Sequence, residues 1–499
     1  MPSGLAGVLG SGDHKVVGRL YIGFALVFSL GVALSGALVD LERINPKTLS
    51  ILSRDTVFQW TSFHNIADPF LLVAPLVLGI AILVVPLQVG SSSIAFPRAA
   101  AASFWGWLIG GGLLVASYAM NGGPGGGKAE GVDLFTVAFG LVIIALLLGA
   151  VCVATTVIAL RAPGLSLSRV PLTAWSALVA SVMWLVSFPV LIGTLILAYV
   201  DHRHASVSYG QNRFIGSHIA WATSHPQVYL LAVPALGIAL DSIATATKAR
   251  LANRGVAMAA IAAFGIFGFG AYLQSTNSTV LQDPLYIGLS FLAVLPVLAV
   301  LGLCGDLVRR GSFKLTSPVL FSLVSLLVLL LGVAAGAVNS IHAIKAGPVA
   351  DLGITHAVVY AGLIAALGAF HHWATKIVGR PLSEALGLLA PLLLLVGAAA
   401  FVIPDLISGW TGSDTAKSVG TQGLNTVMVI GFGIALIGVT VAVLNLVGGL
   451  RKATDVPADP WGGQTLEWAT ASPPALDNFE SLPVVQSPEP LLDQTEETS

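Results

Sequence analysis

The sequence predicts an all-α, polytopic membrane protein built as a helix bundle of about twelve transmembrane helices. Two observations predict it. The chain has 499 residues, mean hydropathy +0.89 and only 9% charged residues, where a soluble domain carries roughly 25%. Twelve apolar runs are long enough to span a bilayer at roughly 20 residues each. They lie near residues 17–40, 62–90, 101–121, 134–161, 172–200, 224–247, 255–274, 285–308, 315–338, 354–377, 381–403 and 424–450.

Each run is bounded by polar or Gly/Pro connections, such as Asn121-Gly-Gly-Pro-Gly-Gly-Gly127. The 55 glycines suit close packing of membrane helices. Cys152 and Cys304 sit singly in apolar runs, so neither a disulfide scaffold nor a thiolate metal site is expected. Nothing in the composition offers a nucleic-acid surface. The expected organisation is a twelve-helix membrane domain over 1–452 and an acidic, Pro-rich tail over 453–499. From Asp455 onward the tail holds nine of the chain's 24 acids and none of its 23 bases. That charge predicts a separate, extended segment.

Orientation follows from Lys and Arg. Fifteen lie on the side shared by the termini and alternate loops, against eight on the other side. The N- and C-termini are therefore expected in the cytoplasm of a bacterial-type plasma membrane.

Histidines mark the candidate sites. His64, His225 and His356 each lie near the start of a helix that runs inward, in the second, sixth and tenth spans. Their imidazoles should share one depth in the outer membrane half. Two imidazoles at one level can fill both axial positions of a haem iron, and a third could hold copper. Unrelated polar residues near helix ends are the alternative. His225 and Tyr229, at i and i+4, should share one helix face around Gln227, as a site or as a hydrogen-bonded knot between helices. Asp68 follows His64 by four residues and could orient its imidazole, or pair with it in a haem-free protein. His371 and His372 read as interfacial.

Several stretches carry a family resemblance. They are Gly12-Asp-His-Lys15, Phe63-His64, Leu83-Val-Val-Pro-Leu-Gln-Val-Gly90, Ala95-Phe-Pro-Arg98, Trp221 to Gly237, His372-Trp373, and Asp459-Pro-Trp-Gly-Gly-Gln-Thr-Leu-Glu-Trp468. Over essentially its whole length the chain resembles subunit I of the haem–copper terminal oxidases, the cytochrome c oxidase family. The resemblance implies His64 and His356 as axial ligands of a low-spin haem, the latter with a one-residue gap before His372. It implies His225 as a copper ligand and Tyr229 as the tyrosine linked to it.

The chain also departs from the pattern. Ile354 stands where the family places the ligand of its oxygen-binding haem. Tyr272-Leu-Gln-Ser-Thr-Asn-Ser278 lacks the pair of histidines that completes the copper site. Gln227, Ser93 and Val300 occupy positions that carry proton-path residues in the family. Ser408-Gly-Trp410-Thr-Gly412 lacks its propionate-binding arginines.

The expectation is a degenerate oxidase subunit of a respiratory chain holding at most one low-spin haem, with copper not expected. Its partners would be other respiratory oxidase subunits and cytochrome c or another electron donor. A working oxidase and a haem-free membrane scaffold are the alternatives.

Overall fold

The computed structural model describes residues 4–44, 52–204, 215–273, 283–344, 346–411, 422–448 and 456–498. Twelve long apolar helices run through it: α1 (His14–Ile44), α2 (Asp55–Gln88), α3 (Pro97–Ala119), α4 (Ala129–Ala159), α5 (Leu172–His204), α6 (His218–Thr247), α7 (Arg254–Leu273), α8 (Pro284–Arg310), α9 (Ser317–Asn339), α10 (Pro348–His372), α11 (Glu384–Trp410) and α12 (Gln422–Gly448). Each coincides with one expected apolar run. The largest difference is at the start of α2. Asp55, Gln59 and Asn65 lower the local hydropathy there, yet the helix begins at Arg54, with the Ser53 hydroxyl accepting the Thr56 amide N–H.

Three helices are central. The most apolar window of α2 is 100% buried and those of α6 and α10 are 83% buried, against 28% for α12 and 33% for α1 and α8. These are the helices that carry His64, His225 and His356. The outer helices turn residues such as Leu30 and Leu444 outward, as lipid-facing surface requires. Close contact of α1 with α2 depends on glycine, since a Cβ on Gly18 would stand 2.7 Å from the Gly79 carbonyl oxygen.

Two central helices are irregular. In α2, residues Asp68–Val73 form a π-helical stretch, with the Ala74 N–H donating to the Pro69 carbonyl. Proline cannot continue the α-helical ladder, and the wider turn accommodates it. In α6, the helix stops at Ser224 and restarts at Gln227, so His225 and Pro226 lie in the break.

The tail corrects an expectation. It is not an extended polar segment: between 456 and 498 it folds across the bundle end that also bears His14, here termed the tail face. Gln464, Leu466, Glu467, Trp468, Thr470 and Asn478 are all buried. Asn478 Oδ1 lies 3.0 Å from Lys15 Nζ, and Trp461 Nε1 donates to the His372 carbonyl at 2.8 Å. Lys376 Nζ donates to the Thr470 carbonyl at 2.6 Å. His371 and His372 are consequently buried rather than interfacial, because the tail and α12 cover them.

Candidate functional site

The centre of the bundle brings His64 and His356 together. Their ring centroids lie 5.8 Å apart with the planes at 60°. Two axial iron–nitrogen bonds of roughly 2 Å each would set imidazole centroids roughly 6 Å apart. His64 is 6% exposed and His356 5%.

The His64 ring is held by α1. Its Nδ1 lies 3.1 Å from the Val32 carbonyl oxygen, to which it donates, and 3.3 Å from Ser35 Oγ. A proton fixed on Nδ1 leaves Nε2 as the ligating nitrogen. His356 packs on Phe401, with centroids 4.8 Å apart, and stacks with Tyr360 at 5.9 Å. Its Nδ1 is buried with no hydrogen-bond partner, which an imidazole that only packs would rarely leave so. Gly36 opens the space beside His64: a Cβ there would stand 2.9 Å from His64 Cε1 and 2.8 Å from Phe432 Cζ.

A cavity of about 200 Å³ adjoins His64, lined also by Asp68, Tyr360, Ala398, Phe432 and neighbouring aliphatic residues that include some of α1 and α12. The i, i+4 spacing thus brings Asp68 to the same cavity as His64. It does not make Asp68 the partner of the imidazole, as expected from sequence. Val32 and Ser35 hold that role, and Asp68 Oδ1 is buried without a hydrogen bond. With two imidazole rings 5.8 Å apart and an orphaned His356 ring nitrogen, the residues present fit a haem held by both histidines.

The second site is a separate, larger cavity of about 790 Å³. Its walls include Asn65 of α2, His225 and Tyr229 of α6, Gly336 of α9, and Ile354 and Thr355 of α10. It is therefore next to the histidine pair, since Asn65 and Thr355 adjoin His64 and His356 in sequence. His225 and Tyr229 do face one cavity, but not as successive turns of one regular helix, because the helix is broken between them. His225 Nδ1 is 2.7 Å from Ser224 Oγ and 3.2 Å from the Trp221 carbonyl, and its ring stacks on Trp221 at 5.7 Å. Gln227 is buried, and its Nε2 donates to the Ala222 carbonyl at 3.1 Å.

The described donor set here does not assemble the several imidazoles of a copper site. His225 is the sole imidazole among the described lining residues, and Ile354 contributes only hydrocarbon. Among the described residues no group of three or more His, Cys, Asp or Glu could hold a metal ion. Residues 274–278, within the stretch expected to lack copper ligands, lie outside the described residues.

Sequence reasoning missed Val32, Ser35, Gly36, Phe401 and Phe432 as parts of the histidine site. The sequence carries no distinct signal for them: Ser35-Gly36 lies in a run that also holds Ala25, Ser29, Gly31, Ala33 and Ala37.

A bundle of twelve spanning helices with paired imidazoles at its centre defines a haem-protein class of integral membrane protein. The chain belongs to the cytochrome c and quinol oxidase polypeptide I family, whose model matches residues 16–441. It is 28% identical to a putative cytochrome c oxidase subunit 1-beta of Streptomyces avermitilis, over 96% of this chain and 90% of that one. Similarity to cytochrome c oxidase subunit 1 of Bacillus sp. (strain PS3) is 28%, over 95% and 82%. A heme-copper oxidase subunit I+III of Aeropyrum pernix is 29% identical, over 95% of this chain and 61% of its own. Among solved structures, a heme-copper terminal oxidase dimer superposes with TM-score 0.71 at 13% identity, covering 97% of this chain and 89% of that chain. The protein is thus a cytochrome c oxidase subunit I-like membrane protein of the respiratory oxidase type. Its family uses haem and works with further subunits.

Proposed function

We propose that this chain is a degenerate oxidase subunit that holds one low-spin haem between His64 and His356 and has no oxygen-reducing centre. It serves electron transfer, or assembly, within a respiratory complex of other oxidase subunits, with cytochrome c or another carrier as donor. The observation that carries the reading is the contrast between two adjoining sites. One has two imidazoles with centroids 5.8 Å apart. The other has ample space but presents Ile354 where a ligand would be needed.

A bound haem supplies a one-electron iron couple. This chain's residues do the rest. His64 and His356 would hold the haem through their imidazoles. The Val32 carbonyl fixes the His64 tautomer, and Phe401, Phe432 and the aliphatic lining exclude water. Tyr229 and Gln227 are assigned no catalytic step, and His225 alone does not make a copper site.

The N- and C-termini are assigned to the cytoplasm from the fifteen-to-eight distribution of Lys and Arg. The boundary near residue 452 separates the membrane domain from the tail that covers its inner end.

His64→Ala and His356→Ala in the purified chain test this. Each should abolish the low-spin bands of the reduced-minus-oxidised spectrum, while His225→Ala leaves them intact. Full retention of those bands in both axial variants would refute the assignment. A working oxidase is the second reading, favoured by the 790 Å³ cavity beside His225 and Tyr229. Carbon monoxide binding to the reduced protein would select it.

A further inference from the structure

We propose that Glu467 of the tail and Asp241 of α6 form a proton-holding carboxyl pair at the tail face, bridged by the side-chain amide of Gln88. The three side chains come from three parts of the chain. Gln88 ends α2 and is fully buried; its Nε2 lies 3.0 Å from Glu467 Oε1 and 3.4 Å from Asp241 Oδ2. Glu467 Oε1 also accepts from Trp373 Nε1 at 3.3 Å. Asp241 accepts the backbone N–H groups of Leu172 at 3.0 Å and Thr173 at 2.8 Å, which begin α5.

Two further oxygens are left over. Glu467 Oε2 and Gln88 Oε1 are buried and make no hydrogen bond among the described residues. Both are acceptors, because an amide oxygen and an ionised carboxylate oxygen can only accept. Gln88, Trp373 and Thr465 donate to Glu467, and a proton on Glu467 would add a donor for the remaining oxygens. Two buried carboxylates sharing a single amide also repel, which one shared proton relieves.

The surrounding cations make their direct contacts elsewhere, although Arg254 still attracts Asp241 and Lys376 attracts Glu467. Lys376 Nζ reaches the Thr470 and Ala471 carbonyls, and Lys248 Nζ the Trp461 and Gly462 carbonyls. Arg254 binds the Ser168 and Val170 carbonyls and lies 3.8 Å from Glu489. Arg250 pairs with Asp493 and Glu489. Asp459 accepts the backbone N–H groups of Trp461 and Gly463, and His372 packs edge-on to Trp373 and Trp468. No Lys or Arg lies within ion-pair distance of Glu467 or Asp241 among the described residues. Burial, with Asp241 acting in the same direction, pushes the Glu467 carboxyl up to about 7, although the Gln88 hydrogen bond opposes this. Near neutrality the pair can thus take up one proton from the aqueous tail face and return it there.

The test is an infrared pH titration of the full-length protein in lipid nanodiscs, following the C=O band of protonated carboxyls. The wild type should lose carboxyl C=O intensity with a midpoint near 7, and Glu467→Gln should lack one carboxyl's share of that transition. Asp241→Asn should lower the midpoint by about one unit, since it removes a negative neighbour. Asp241 also caps the start of α5 and its variant could misfold, so Gln88→Leu is the second variant. It removes a donor to the ionised form and should raise the midpoint. An unchanged transition in Glu467→Gln, or a midpoint unmoved in correctly folded Asp241→Asn and Gln88→Leu, would overturn the proposal.

Discussion

His64 on α2 and His356 on α10 meet with ring centroids 5.8 Å apart, while their sequence neighbours Asn65 and Thr355 line the adjoining cavity. One pair of helices thus lines two compartments side by side. The smaller compartment is lined by His64, which His356 meets ring to ring, and the spacious one has His225 as the sole imidazole among its described lining residues. This separation of ligands from space underlies the functional reading.

The glycine beside His64 gives the first prediction. A Cβ at Gly36 would stand 2.9 Å from His64 Cε1 and 2.8 Å from Phe432 Cζ. Overpacking of this kind costs about 1–3 kcal/mol. Gly36→Ala should therefore lower haem content per chain and the unfolding temperature together. Gly23→Ala, where nothing lies within 4 Å, should change neither. Quantitative haem extraction alongside thermal unfolding in detergent checks both.

The large cavity gives a second. With both axial positions of a single haem filled, the reduced protein should yield no carbon monoxide difference spectrum. Ile354→His adds an imidazole to the wall of a cavity of about 790 Å³. If ligand rather than space is missing, this variant should gain a carbon monoxide-sensitive band when expressed with excess haem. A carbon monoxide response already present in the parent would contradict the bis-histidine assignment.

A buried ion cluster ties α1 to α11. Arg43 lies 2.5 Å from Asp405 Oδ1 and 3.7 Å from Asp40 Oδ1, and its carbonyl accepts from Asn425 of α12 at 2.8 Å. Asp405 is 1% exposed, so removing the guanidinium leaves a carboxylate uncompensated. Arg43→Met should destabilise the bundle by about 3–5 kcal/mol. The double variant Arg43→Met/Asp405→Asn should recover part of that loss. Calibrated denaturation in mixed micelles measures the difference.

The tail should respond to pH in two opposed ways. Burial raises the Glu467 carboxyl from its ordinary 4.5 to about 7. The folded tail then binds the proton more tightly than the unfolded tail. Its contribution is complete below the unfolded value and lost as pH rises through the folded one. Burial lowers the Lys376 ammonium from 10.5 to about 8. Its contribution is complete above the unfolded value and lost as pH falls through the folded one. Anchoring should be weakest between about 7 and 8. Hydrogen exchange of residues 456–498 across pH 5–10 reads this out, and Glu467→Gln should flatten the acid limb.

Legibility in the sequence tracked how local the governing physics was. The spans were legible because the membrane imposes length and apolarity directly on each segment. The meeting of His64 with His356 was legible because topology puts the starts of even-numbered helices on one side. The break at His225-Pro226 was not anticipated, although the proline was visible, because the expected sixth span opens at 224 and a proline in a first turn does not signal a break. Asp68 was placed on the correct face but given the wrong partner: Val32 and Ser35 belong to another helix, and no spacing rule links α1 to α2. The tail was misjudged for a different reason. Its nine acids dominate the composition, yet Trp461, Leu466 and Trp468 decide its structure by packing onto helix ends that lie far away in sequence.

The most direct measurement is the stoichiometry of haem and copper in the purified, membrane-extracted chain, combined with its reduced-minus-oxidised spectrum. One low-spin haem per chain, lost in His64→Ala, and no stoichiometric copper are expected. Two haems with one copper per chain, or no haem at all, would contradict it.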